Sequence, residues 1–464
     1  MKILITAGYF PPYCPASASR VNKFAKYLVD QGYDVRVLSP KDPRFPETLK
    51  AEITQDRVLY TEYTDINDIP VRLKKLLRSV FCRSNQVAEA TKQEQPVSDT
   101  KLVKTNKESL LSRLYRSMMN IPDNSVGWYF HAIKAGRTLF EHWRPDIIFA
   151  TAPPFTTLLV GSRLARLSNV PWVADYRDLW SDHGYYDSGY LRRRLDVLLE
   201  RYMLSNCKGL VTVTESWTDL LREKRNKPVT CVMNGFDPED FCLHDEKPDS
   251  NNALLGGDKV TILYAGHLYG QKRDPSVLFE ALGQLGDKAN YFKVIFYTES
   301  GLGDFNTDQK QLVEKYQLED VIEFNTYISQ KELHKVQQQV DVLLLLRWND
   351  PREDSVIAGK LFEYIGAGKP ILSVGSTTGE AADIIRYNDF GCVSCDPDEI
   401  GHFLLQKYQE KQRGIPLKLN ESNRNKFKRS EQFSKLEIFL KAVVEKNGSS
   451  LGSYKVNTEE DILK

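Results

Sequence analysis

The stretch MKILITAGYFPPYCPASASRVNKFAKYLVDQGYDVRVL, residues 1–38, reads as strand, loop, helix, strand. Lys2 to Ala7 is a short apolar run, and Gly8 to Ala16 is rich in turn residues. Val21, Phe24, Ala25, Leu28 and Val29 then recur at helical spacing. Gly32 closes that helix, and Val35 to Leu38 is the next strand. A strand-helix-strand unit implies a parallel sheet, so this opening predicts an α/β fold.

The alternation continues outward from it. Strands are expected at Ile147–Ala150, Trp172–Ala174, Gly209–Val213 and Thr230–Met233, and helices at Phe155–Leu167 and Leu191–Leu204. A polar stretch from Asn234 to Asp258 follows and reads as a linker. A second series has strands at Val260–Ala265, Phe292–Tyr297, Val342–Leu346 and Pro370–Val374. Helices are expected at Pro275–Leu285, Gly359–Ile365 and Arg429–Val444. The expected organisation is a first doubly wound domain over 1–235, a linker over 236–258 and a second domain over 259–430. A helix and loose tail over 431–464 would follow, the helix packing back on the first domain. Open α/β sheets bind ligands at the carboxyl ends of their strands, so two facing domains would place a cleft there.

The chain has 464 residues and a net charge of +1, which excludes a uniformly basic nucleic-acid binder. The neutrality is uneven. Val71 to Arg116 holds eleven Lys or Arg against four Asp or Glu, leaving −6 for the rest. Val71–Phe81 and Leu102–Met119 mix apolar and basic residues at near-helical spacing, which suits an anionic membrane surface. No apolar run approaches the ~18 residues that span a bilayer. Pro11-Pro12 interrupts the apolar start, so it reads as a strand rather than a signal peptide, and a cytoplasmic protein is expected. The seven cysteines are scattered, and Cys392 and Cys395 are expected to pack in a strand rather than hold zinc.

Three blocks carry chemistry. Gly266-His-Leu-Tyr-Gly-Gln-Lys272-Arg273 lies between a strand and a helix, where close backbone approach and cations suit a diphosphate. Gly359-Lys360-Leu361-Phe-Glu363-Tyr-Ile-Gly-Ala-Gly-Lys-Pro370 opens a helix, places Glu363 in an otherwise apolar helix, and closes on a tight exit. Asp175, Arg177, Asp178 and Trp180 follow a strand end within PWVADYRDLWS, where charges beside an aromatic suit sugar hydroxyls.

These blocks resemble glycosyltransferase family 4, the retaining nucleotide-sugar transferases of the GT-B fold, over nearly the whole chain. The resemblance implies two Rossmann-like domains facing across a cleft. It implies a nucleotide diphosphate sugar donor bound by Gly266, His267, Lys272, Arg273, Ser355, Lys360, Leu361 and Glu363, with Glu363 on the ribose. The family's second Glu, eight residues earlier, is Ser355 here, with Glu353 and Asp354 beside it. The family's usual Arg after the glycine is His267. Met233-Asn-Gly-Phe-Asp237 resembles the family's hinge, and the RDLW form resembles its bacterial surface-polysaccharide branch. Arg20, Asp123, Asp175 and Trp180 are the expected acceptor-side residues. Asp178, Arg177, Lys272 and Glu363 are the expected catalytic ones. No metal and no cofactor are expected.

The activity expected is transfer of a hexosyl or related group, with retention, to a saccharide or lipid-linked saccharide at the inner face of the cytoplasmic membrane. The alternatives are a sugar-nucleotide epimerase or hydrolase on the same fold, or a non-catalytic polysaccharide-assembly protein.

Overall fold

The computed structural model describes residues 1–15, 18–45, 49–69, 115, 118–186, 189–241 and 257–448. It divides into two compact units, Met1–Leu210 with the chain from Leu440, and Val211–Phe439.

The first sheet is built from β1 (Lys2–Ala7), β2 (Asp34–Pro40), β3 (Val58–Thr61), β4 (Ile147–Ala152), β5 (Trp172–Tyr176), β6 (Gly209–Thr212) and β7 (Val229–Cys231), in the order β3-β2-β1-β4-β5-β6-β7. Its central pairs are parallel, with Ile3 opposite Val35 on one side and Ile147 on the other. The connecting helices are α1 (Ser19–Asp30), α2 (Tyr129–His142), α3 (Thr156–Ser168), α4 (Tyr190–Leu204) and α5 (Glu215–Arg225). Strands β4 and β5 are buried along their whole length, as strands covered on both faces must be.

The second sheet contains β8 (Val260–Ala265), β9 (Phe292–Thr298), β10 (Ile322–Thr326), β11 (Val342–Leu346), β12 (Ile371–Val374) and β13 (Gly391–Ser394), in the order β10-β9-β8-β11-β12-β13. Its helices are α6 (Ser276–Gln284), α7 (Thr307–Lys315), α8 (Gln330–Gln339), α9 (Gly359–Ala367), α10 (Glu380–Tyr387), α11 (Pro397–Gln412), α12 (Glu421–Asn425) and α13 (Arg429–Gly448). Val342, Leu344 and Leu346 face one core layer while Leu343 and Leu345 face the other, the period of two that a pleated strand dictates. The strand order reverses between β1 and β4 in one sheet and between β8 and β11 in the other. Such reversals open a crevice at the carboxyl ends of the strands.

The expected strand Val342–Leu346 is reproduced in full, and the helix expected from Leu191 starts one residue earlier. The beginning of the expected linker is fastened down. Phe236 is buried, its N–H donates to Phe427 O at 3.0 Å, its carbonyl accepts from Arg429 N at 2.8 Å, and Asp237 pairs with Arg429 at 2.9 Å. Residues 242–256, 449–464 and Ala16-Ser17 lie outside the described residues. So does the basic stretch 71–116 except for Tyr115, whose hydroxyl donates to Ile66 O at 2.8 Å. No described helix is long and apolar enough to cross a membrane. Cys392 lies on β13 against the core as expected, but Cys395 is exposed, because the strand ends at Ser394 and Asp396 already caps α11.

Candidate functional site

The carboxyl edge of the second sheet gathers cations at its topological switch point. β8 ends at Ala265, and Gly266 follows with φ +133°. That backbone conformation favours glycine, and a Cβ there would also stand 1.9 Å from the Lys360 ammonium, which would have to shift. Lys360 comes from the first turn of α9 and lies 4.8 Å from the Tyr264 ring centroid. Burial, and secondarily Arg273, pull its pKa down to about 8 against the opposing effect of Glu363.

Arg273 donates to Leu346 O at 2.9 Å, at the end of β11, and reaches Glu353 at 3.7 Å. Lys272 is exposed and lies 4.4 Å from the centre of the Trp348 ring. His267 is exposed, 3.3 Å from Glu299, with the rings of Tyr269 and Tyr327 at 5.5 and 5.4 Å. The loop 266–273 thus sends its cations in different directions.

Helix α9 begins at Gly359 with no side-chain cap and no acid in its first turn. The Leu361 N–H is taken by Ala358 O at 3.0 Å, which leaves the Gly359 and Lys360 N–H groups at the head of the helix for an anion. Glu363 lies one turn further on, half-buried, and forms no hydrogen bond with a described side chain. Leu361, Phe362, Tyr364 and Ile365 bury the opposite face, and Tyr364 OH donates to Leu344 O at 3.1 Å, which seats α9 on β11. The exit is tight as read. Gly368 takes a left-handed φ of +75° and its N–H donates to Ile365 O at 3.1 Å, while Arg424 donates to the carbonyls of Ile365 and Gly366 at 2.8 and 2.6 Å. Ser355 is half-buried, and its acidic neighbours are engaged, Glu353 with Arg273 and Asp354 with Thr378 at 2.9 Å.

The first unit holds a separate group at the carboxyl ends of β4 and β5. Asp175 is 1% exposed and accepts from Thr151 Oγ1 at 2.7 Å, with Arg20 3.9 Å away. Its Oδ1 is buried without a hydrogen-bond partner. Arg177 is half-buried and bonds back to the carbonyls of Ala152 and Pro153; desolvation lowers its pKa, opposed by Asp175, Asp178 and Tyr9. Asp178 is exposed at the rim, its carboxyl raised by partial desolvation against the pull of Arg177 and His183. Trp180 is buried and stacks on Phe155 at 5.0 Å and 11°. Asp123 caps α3, accepting from Thr156 N at 3.0 Å, Thr156 Oγ1 at 2.7 Å and Ser125 N at 2.9 Å. Desolvation nonetheless holds its pKa above the usual carboxylate value. Asp175, Trp180 and Asp123 are thus held by protein partners, while Asp178 is the group of this set that meets solvent.

Sequence reading missed Arg347. It follows β11 directly, is 6% exposed, and donates through Nη1 to Ser376 O at 2.8 Å while Nη2 is buried without a partner. Its position at the end of the most apolar strand, beside the switch point, was the available signal. Trp348, which carries Lys272, was missed as well. Among the described residues no three His, Cys, Asp or Glu side chains are grouped to hold a metal.

A glycosyl transferase 4-like domain model matches residues 108–235. Over that stretch the chain is similar to a glycosyl transferase 4-like domain. No curated protein matches by sequence. Among solved structures, Anabaena HepE in complex with UDP is similar with a TM-score of 0.58 and 14% identity, over 95% of this chain and all of that one. A glycosyltransferase from Rickettsia africae follows at 0.56 and 13% over 96% and 98%, and sucrose-phosphate synthase from Thermosynechococcus elongatus at 0.56 and 14% over 95% and 99%. These likenesses show the GT-B fold, two Rossmann-like parallel-sheet domains.

Proposed function

We propose that this protein is a retaining glycosyltransferase. It moves a sugar from a nucleotide diphosphate sugar to a saccharide acceptor, lipid-linked, in cell-surface polysaccharide biosynthesis. One observation carries the donor reading: the Lys360 ammonium lies over Gly266 at the switch point, with Arg273 beside it and the open amino end of α9 on the same helix. As the glycosidic bond breaks, the leaving diphosphate gathers negative charge. Preorganised cations and N–H groups stabilise that charge more than they stabilise the ground state.

Glu363, which forms no hydrogen bond with a described side chain, accepts from the ribose hydroxyls in this reading. Lys272 and Trp348 form a cationic, aromatic border to the same edge. On the first unit Asp178 and Arg177 orient the acceptor. Asp175, Arg20, Asp123 and Trp180 hold the strand ends and helix that present them. The chemistry proposed is electrostatic and uses no metal. HepE, with its UDP-bound structures, supports UDP-glucose as the first donor to try. The protein is placed at the inner face of the cytoplasmic membrane, with the basic stretch 71–119 on anionic lipid.

A thermal-shift screen of nucleotide sugars tests the donor site, because selective binding to the native state raises Tm. Lys272→Ala and Glu363→Ala are each expected to depress transfer strongly with an unchanged melting temperature in the absence of donor. Normal turnover in both variants overturns the assignment. Consumption of donor without any acceptor would favour an epimerase or hydrolase instead.

A further inference from the structure

Helix α4 buries Met203 and Leu204 at its end but leaves an apolar stripe outside along the rest of its length. Its sequence, YLRRRLDVLLERYML, looks like an ordinary amphipathic helix whose leucines should face the core. Instead Leu191, Leu195, Leu198 and Tyr202 are 73%, 46%, 61% and 57% exposed. Their spacing of i, i+4, i+7 and i+11 makes one straight stripe along the outer face. Arg194 and Arg201, at i+3 and i+10, run along one flank of that stripe, and both are exposed.

The helix's two acids point the other way. Asp196 and Glu200 are 1% and 2% exposed. Asp196 is held by Arg192 Nε at 3.0 Å and by Tyr186 OH at 2.6 Å. Glu200 is held by Tyr176 OH at 2.9 Å and by Ser181. These partners fix the rotation of the helix, because turning the leucines inward would strand two desolvated carboxylates or expel their bonding partners. Two arginines also lie against the exposed tyrosines, Arg194 4.6 Å from the ring centre of Tyr190 and Arg166 4.1 Å from that of Tyr202.

From this geometry we infer that the outer face of α4 docks on an anionic membrane surface, its leucines and tyrosines in the acyl boundary and its arginines among the phosphates. Charge selects this occupant. The face shows arginine and no exposed acid on α4, so a twofold contact with a second copy would set arginine against arginine. A bilayer of acidic lipid matches both the apolar stripe and its cationic flank. The helix lies outside the stretch 71–119 in the sequence. The inference extends the membrane placement of the proposed function and does not depend on the donor site.

The test is co-sedimentation of the full-length protein with vesicles of phosphatidylcholine, alone or mixed with phosphatidylglycerol. Leu195→Ser with Leu198→Ser, and separately Arg194→Gln with Arg201→Gln, are compared with the unchanged protein. Each basic side chain near such a surface is worth about fivefold in partitioning, so the arginine pair should weaken binding to mixed vesicles by more than about tenfold. The serine pair should weaken it at least as much, and high salt should diminish the arginine effect more than the leucine effect.

Circular dichroism and melting should be unchanged, since all four side chains are exposed. Mixed-vesicle binding by both variants equal to that of the unchanged protein overturns the inference. So does a dimer in solution that the serine pair dissociates, which would make the face a contact between copies. The thermal shift with UDP-glucose, read on the same variants, keeps the two proposals apart. Vesicle binding lost with the shift retained is the expected result, whereas a shift absent from every form, with vesicle binding intact, would sink the donor reading alone.

Discussion

If Lys360 meets the donor diphosphate, donor affinity must fall with rising pH in a range where few enzymes' lysines respond. Its pKa is pulled to about 8 by burial and by Arg273. Below that pH the ammonium is charged, and above it the amine is neutral. A bound diphosphate favours the charged form, so binding takes up a proton once the free protein has lost it. At pH 7 nearly all Lys360 is charged, and at pH 9 only about one side chain in eleven is. The dissociation constant for UDP-glucose should therefore rise about tenfold from pH 7 to pH 9, which is about 1.4 kcal/mol.

The stability of the free protein should move the opposite way. Its folded pKa lies below the ordinary value of 10.5, so the unfolded chain binds more protons between about 8 and 10.5. Over that window Lys360 adds stability as pH rises. Titration calorimetry with UDP-glucose at steps from pH 6.5 to 9 reads the first effect, and urea unfolding reads the second. Lys360→Met should abolish the slope and cost about 1.5–3 kcal/mol of donor binding at pH 7, the range for a charge-assisted hydrogen bond. A dissociation constant equal at pH 7 and pH 9, or a slope kept by the Met variant, refutes the placement of Lys360 on the diphosphate.

Two further outcomes follow from single contacts. Gly266→Ala puts a methyl 1.9 Å from the Lys360 ammonium at a φ of +133°, so donor affinity should drop at least about tenfold as the amine is displaced; a dissociation constant within twofold of the unchanged protein would refute it. Asp123→Ala removes the cap that accepts from Thr156 N and Ser125 N, and should lower unfolding stability by about 1–2 kcal/mol in urea, with the transition slope unchanged; an unmoved midpoint would show that α3 does not depend on this carboxylate.

The legible parts of the sequence were those with local causes. Val342–Leu346 is apolar at every position, so it had to be a strand covered on both faces, and it is. Gly366 and Gly368 before Pro370 announced a tight helix exit, because the backbone turn there needs a left-handed residue. The cationic donor edge was legible as residues but not as roles. Lys272 was read as the diphosphate cation because it follows a glycine-bearing loop; its ammonium stands 4.4 Å from the centre of the Trp348 ring, and Lys360 from another block adds a second cation beside Gly266. Lys360 and Gly266 are ninety-four positions apart, and only the pairing of β8 with β11 brings their loops together. Asp123, Asp175 and Trp180 were read as groups awaiting a sugar, because a sequence does not show that a carboxylate already caps a helix or that an indole already stacks on Phe155.

The opening strand-helix-strand unit and the second alternating series determined two parallel α/β sheets by themselves, since local periodicity and crossover length leave a parallel sheet little alternative. Which face of a helix is buried is a different kind of question. The leucines of α4 have the spacing of a core stripe, and nothing local contradicts that reading. The tertiary structure decides otherwise because Tyr176, Ser181 and Tyr186, from the strand and loop before it, offer hydrogen bonds that only Asp196 and Glu200 can use. A buried carboxylate must be satisfied where its partners are, whereas a leucine can be left outside at modest cost. The acids therefore set the rotation, and the apolar stripe is left facing outward.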